Sequence, residues 1–255
     1  MDQLPPQPPP PVPQLPEPIV APPEKEVPWR AREALAVALL ALVTGAFFTM
    51  IVTALITPHG HVTDEQRNLL TLYTTIIIEG CLALWVWLWV KLRHKAGLRA
   101  LGVRFHRGDV GAGILTALLG LVAAQIVTQI VVALWETAAG HSIKQPEQLP
   151  TLHGSGRIAI AAFAVIIVAP FAEELFFRGF LYQALRRWRG VTSAILISAA
   201  VFAISHGEPL LMVGIFPLGI ILAYMFQRRD SLVTTITAHM TYNTIGFVLL
   251  LTVSR

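Results

Sequence analysis

Four polar side chains in the carboxyl-terminal part of this 255-residue chain have types that together can hydrolyse an amide or ester bond: Glu173, His206, His239 and Asn243. Each stands in a stretch that is otherwise apolar. A carboxylate and an imidazole in a low-dielectric pocket can activate water as a general base, the role open to Glu173 with His206. An imidazole beside a carboxamide can donate hydrogen bonds to the oxyanion of a tetrahedral intermediate, the role open to His239 with Asn243. Glu173, His206 and His239 also supply the O,N,N set of a catalytic zinc, so metal-free and zinc-assisted hydrolysis both fit these residues.

Spacing adds detail. Glu174 and Arg178 are i,i+4 and can pair along one helix face, either as a structural pair or in support of the site. Glu173 is turned about 100° from Glu174 on a helix. Its own i+4 position is Phe177, so it needs a partner from elsewhere. His239 and Asn243 are again i,i+4, as are Phe202 and His206. Glu79 reads equally as a polar contact and as a further member of the site. Gln125 and Gln129 suggest helix–helix hydrogen bonds, and Cys81 a packed thiol.

Other hydrolase patterns are missing. There is no H-E-x-x-H, and His153-Gly154-Ser155-Gly156 falls short of G-x-S-G. Asp109 and Asp230 lie at predicted span edges, which disfavours an aspartyl pair.

The elements that must carry these residues follow from composition. The chain is 55% hydrophobic and 13% charged, with mean hydropathy +0.63; soluble domains carry about 25% charged residues. A soluble enzyme, a disulfide scaffold and a disordered chain are excluded. Membrane-length apolar stretches run Ala34–Ile56, Leu69–Val90, Val110–Leu134, Ile158 to about Phe180, Val191–Ser205, Leu210–Phe226 and Leu232–Val253. The fold class is therefore all-α, a polytopic transmembrane helical bundle of about seven spans covering residues 31–255. A charge at bilayer depth costs at least about 2.5–3.5 kcal/mol, which makes the intramembrane polar residues functional candidates.

Fourteen of the 19 Lys and Arg, from Lys25 and Arg30 to Arg228 and Arg229, fall on one alternate set of loops, and four on the other. By the positive-inside rule the amino terminus is cytoplasmic. Net charge +4 thus reflects topology rather than a nucleic-acid partner. Trp85, Trp87, Trp89, Trp135 and Trp188 fall near span ends, as in an interfacial belt. Residues 1–30 form a proline-rich tail, expected to be disordered and able to offer a PxxP ligand to a partner domain.

Measured from the cytoplasmic ends at about 1.5 Å per residue, His239 lies about 12 Å deep, Glu173 about 18 Å and His206 about 22 Å. A tilt or a kink must bring them level.

The motifs Glu173-Glu174-Leu175-Phe176-Phe177-Arg178, Phe202-Ala203-Ile204-Ser205-His206 and His239-Met240-Thr241-Tyr242-Asn243 resemble the EExxxR, FxxxH and HxxxN motifs of the CPBP family of CAAX proteases and bacteriocin-processing enzymes, also called Abi. The likeness covers about residues 150–250, and Asp230 stands where that family often has glycine. The resemblance implies a multi-pass intramembrane endopeptidase acting on a membrane-associated protein or peptide; eukaryotic members remove the last three residues of prenylated CAAX proteins. It carries the Glu-His-His-Asn roles to Glu173, His206, His239 and Asn243. Family naming speaks of metalloproteases, whereas the fold favours glutamate-activated water with no obligatory metal. The competing expectations are a non-catalytic membrane scaffold or immunity-type protein, and a proton relay using Glu79 and the histidines.

Overall fold

The computed structural model describes residues 27–57, 62–142 and 154–253. The described residues are helical throughout, with no strand. α1 (Ala31–Ile56) and α2 (Asp64–Leu88) pack against each other. α2 begins at Asp64, ahead of the expected Leu69, because Thr63 and Gln66 form a reciprocal capping box: Gln66 N–H donates to Thr63 Oγ1 at 3.2 Å and Thr63 N–H to Gln66 Oε1 at 3.0 Å. A π turn, Trp89–Arg93, extends it past the predicted end. α3 (Asp109–Ala139) ends on Gly140, which caps it in the left-handed region at φ 73°.

The next 50 residues, Ser155–Ile204, form one helical run. It comprises α4 (Ser155–Ala162), a π segment (Phe163–Val168), α5 (Ala169–Glu174), a second π segment (Leu175–Tyr182) and α6 (Gln183–Ile204). Gly190 breaks this run with φ 79°, ψ 175°, a conformation open only to glycine. The rings of Phe177 and Phe202, on either side of that break, are 5.0 Å apart; on a straight helix they would be on the order of 37 Å apart. The run is therefore a hairpin, and its two arms are the predicted fourth and fifth spans. α7 (Pro209–Arg229) starts with proline in its first turn, and α8 (Leu232–Val253) completes the bundle. Among the described residues five continuous helices, α1, α2 with its π turn, α3, the hairpin and α7, are long and apolar enough to cross a membrane, and α8 is not one of them. Large apolar side chains such as Leu35, Val43, Leu115, Val122 and Ile126 face outward, as expected for helices whose solvent is lipid.

α3 lies against α7 and α8, and small residues let it do so. A Cβ on Gly113 would come within 2.7 Å of the Thr234 carbonyl oxygen, and one on Gly120 within 2.6 Å of Leu218 Cδ1. At the basic end, the fully buried Asp109 ties three elements together. It accepts from Arg229 Nε at 2.8 Å, Ser231 Oγ at 2.7 Å and Thr234 Oγ1 at 2.9 Å. Asp230, the departure from the motif's usual glycine, adopts φ 49° and pairs with Arg104. At the opposite end Arg157 pairs with Glu65.

Three sequence expectations need adjustment. Gln125 and Gln129 are exposed on α3 rather than buried between helices. Trp85 and Trp89 turn inward instead of serving only as a belt, donating to Thr44 Oγ1 at 3.0 Å and Glu33 Oε2 at 2.7 Å. Trp29, near the end of the predicted tail, is fully buried: its Nε1 donates to the Phe180 carbonyl at 2.9 Å and its ring stacks on Phe180. Residues 1–26 of that tail lie outside the described residues. Cys81 is buried, as expected.

Candidate active site

α5 delivers two consecutive glutamates to one imidazole. Glu174 Oε1 lies 3.1 Å from His239 Nδ1, and Glu173 Oε2 lies 3.6 Å from His239 Nε2. His239 is thus the partner that Glu173 lacks within its own helix. Glu174, fully buried, also accepts from Arg178 Nη1 at 2.6 Å. Arg178 in turn donates through Nη2 to the Gly219 carbonyl at 3.2 Å and lies 4.4 Å from the centre of the Phe202 ring. Gly219 makes that reach short by letting α7 approach Ala199 of α6 closely; a Cβ there would sit 3.1 Å from the Ala199 Cα. The buried Glu174–Arg178 pair therefore holds the carboxylate that contacts His239.

Phe202 sits at the centre of the aromatic packing. Its ring meets His206 at 5.0 Å and His239 at 5.6 Å, edge to face in both cases. His206 follows the last turn of α6, and its ring folds back so that Nδ1 lies 2.8 Å from the Phe202 carbonyl oxygen. A carbonyl only accepts, so Nδ1 carries the hydrogen and Nε2 is left as an acceptor. That fold-back returns His206 by about one turn towards the depth of Glu173. The π segment Leu175–Tyr182 has wider turns that take up more residues per unit of rise, which brings Glu173 nearer the depth of His239. Glu173, His206 and His239 line one cavity, so the different depths expected from residue counts do not keep them apart.

Asn243 is positioned by a backbone defect. In the π segment Phe163–Val168 the Ala169 N–H donates to the Ala164 carbonyl, five residues back. The same register would pair the Val165 carbonyl with residue 170, which is proline and has no N–H. Asn243 Nδ2 supplies the missing donor at 2.8 Å. A carboxamide nitrogen carries two hydrogens, so this anchor leaves a second one for a ligand.

Glu173, His206, His239 and Asn243 line one cavity of about 360 Å³, closed by side chains of α3, α6, α7 and α8. The structure thus brings together all four residues expected from the sequence. Glu173 and His206 also line a second, mostly apolar cavity of about 580 Å³ bounded by α1 and α2, and Glu79 is on its wall. Glu79 Oε2 is buried without a hydrogen-bond partner among the described residues. The zinc alternative fits less well. Among the described residues no three His, Cys, Asp or Glu gather as metal ligands, and Glu173, His206 and His239 do not close into such a set.

Sequence reasoning missed the Val165 and Gly219 carbonyls and the position of Phe202 between His206, His239 and Arg178. Pro170, three residues before Glu173, was a readable signal for the first of these. Backbone acceptors reached across helices leave no mark on side-chain spacing.

No curated protein and no solved structure matches the chain. Residues 155–245 match the family model described as Type II CAAX prenyl endopeptidase Rce1-like. That segment runs from the start of α4 into α8 and contains every residue of the three motifs. Over residues 155–245, this chain of membrane-length helices is similar to the Rce1-like type II CAAX prenyl endopeptidases, a family of membrane proteases.

Proposed function

We propose that this protein is an intramembrane endopeptidase that hydrolyses a peptide bond of a membrane-associated protein, with CAAX-type prenylated proteins as the substrate class that the family match favours. The observation that carries this reading is the shared cavity: Glu173, His206, His239 and Asn243 face one space large enough for a peptide segment. Glu173 takes a proton from water, with the acceptor Nε2 of His206 holding the water's other hydrogen. The oxygen attacks the carbonyl carbon, and the oxyanion that forms accepts from Asn243 Nδ2 and from Nε2–H of His239, whose Nδ1–H is donated to Glu174. Glu174, held by Arg178, keeps the imidazole of His239 in place. No step runs through a metal ion. The excess of Lys and Arg on one alternate set of loops supports a cytoplasmic amino terminus.

The test is a comparison of membrane peptides from cells producing the wild-type protein and from cells producing Glu173→Gln at equal level. Fragments present with the wild type and missing with the variant identify substrates. Identical peptide sets would contradict the reading.

A further inference from the structure

The mechanism above leaves unused a carboxyl group whose Oε2 is buried without a hydrogen-bond partner among the described residues. Glu79 comes from α2, outside the matched family segment, yet it lines the same cavity as Glu173 and His206. The wall that α1 contributes there is apolar, including Ala34, Leu35, Ala38 and Ala41. Glu173 and His206 are the other titratable groups facing that space. A carboxyl oxygen buried with no partner carries an uncompensated desolvation cost, which points to a ligand or a proton that it handles. Two carboxyl groups in one apolar cavity also favour a pair that shares a single proton, because two like charges in a low dielectric repel.

We infer that Glu79 is the proton donor to the leaving amine of the hydrolysis, paired with Glu173 across the apolar cavity. The inference rests on the hydrolase reading above. The proton balance closes. Glu173 removes one proton from water as its oxygen bonds to the carbonyl carbon. The carbon–nitrogen bond then breaks while the nitrogen takes the proton of the Glu79 carboxyl group, releasing a neutral amine. Water's second proton stays on the new carboxylic acid. The proton on Glu173 passes to Glu79 across the cavity, and the pair returns to its starting state.

The test uses the full-length purified protein and two substrates of one peptide sequence, one with the scissile amide and one with an ester in its place. An alkoxide leaves with less help than an amide nitrogen, so loss of a general acid shows mainly on the amide. With Glu79→Gln, amide cleavage is expected to fall about 10²-fold or more in kcat with little change in KM, while ester cleavage stays close to wild type. Equal loss on both substrates, or no loss on either, would overturn the assignment. If Glu79→Gln does not fold, Glu79→Asp, which keeps the proton but draws it back by one methylene, is run on the same pair with the same two readings. A wild-type protein that cleaves neither substrate would instead count against the hydrolase reading itself.

Discussion

Glu174 and His239 are joined at 3.1 Å through the same Oε1 that receives Arg178 at 2.6 Å, so one carboxylate oxygen links a buried ion pair to the imidazole of the site. Nothing in the EExxxR spacing by itself says whether the second glutamate serves folding or chemistry. The shared oxygen puts it in contact with the buried arginine and with the imidazole at once.

Arg178 is buried, and its removal strands the Glu174 carboxylate beside His239. Breaking one partner of a buried pair costs about 3–5 kcal/mol. Arg178→Ala is therefore expected to unfold at markedly lower temperature than wild type, measured by thermal unfolding in detergent. Arg178→Lys keeps the charge but loses the second donor that reaches Gly219, and should fall between them.

Asn243 is expected to act in the transition state and little in substrate binding. Asn243→Ala should lower kcat about 10²–10³-fold, in line with removal of one oxyanion donor, with KM nearly unchanged in steady-state peptide cleavage. Pro170→Ala gives the Val165 carbonyl a backbone donor of its own. It should loosen Asn243 and lower kcat by less than Asn243→Ala does.

The two close approaches of α3 differ in what could yield. A methyl group on Gly113 meets backbone, the Thr234 carbonyl oxygen at 2.7 Å, whereas one on Gly120 meets the end of the Leu218 side chain at 2.6 Å. Overpacking costs about 1–3 kcal/mol. Gly113→Ala should lie at the upper end and Gly120→Ala near the lower, read as the order of their unfolding temperatures.

Metal dependence has a direct check. The proposed mechanism predicts that purified protein contains no stoichiometric zinc by elemental analysis and keeps its activity after chelator treatment. Zinc at one per chain, removed together with activity, would move Glu173, His206 and His239 to the role of ligands.

Much of this architecture was legible before any coordinates. Apolar stretches of membrane length predict the helices, because in lipid the backbone has no other way to satisfy its donors and acceptors. The turn between α6 and α7, Ser205–Glu208, falls at the boundary the sequence expects around His206-Gly207-Glu208-Pro209. Glu173, His206, His239 and Asn243 stand out because their neighbours are apolar. Helix ends were less legible: Asp64 and Gln66 belong to α2 through a cap, and Gly190 bends a run that hydropathy alone divides in two. The ring fold-back of His206 and the π turns beside Glu173 are local features that periodicity does not encode. Glu79 was visible as an anomaly, but only the shared cavity connects it to Glu173.

The central claim is that Glu173 activates water for peptide hydrolysis. Its most direct measurement is the cleavage rate of a membrane-anchored peptide by purified wild-type protein and by Glu173→Gln, with both shown to be folded by matching thermal unfolding. Cleavage by the wild type and none by the variant is the predicted result. Equal rates from the two proteins would contradict it.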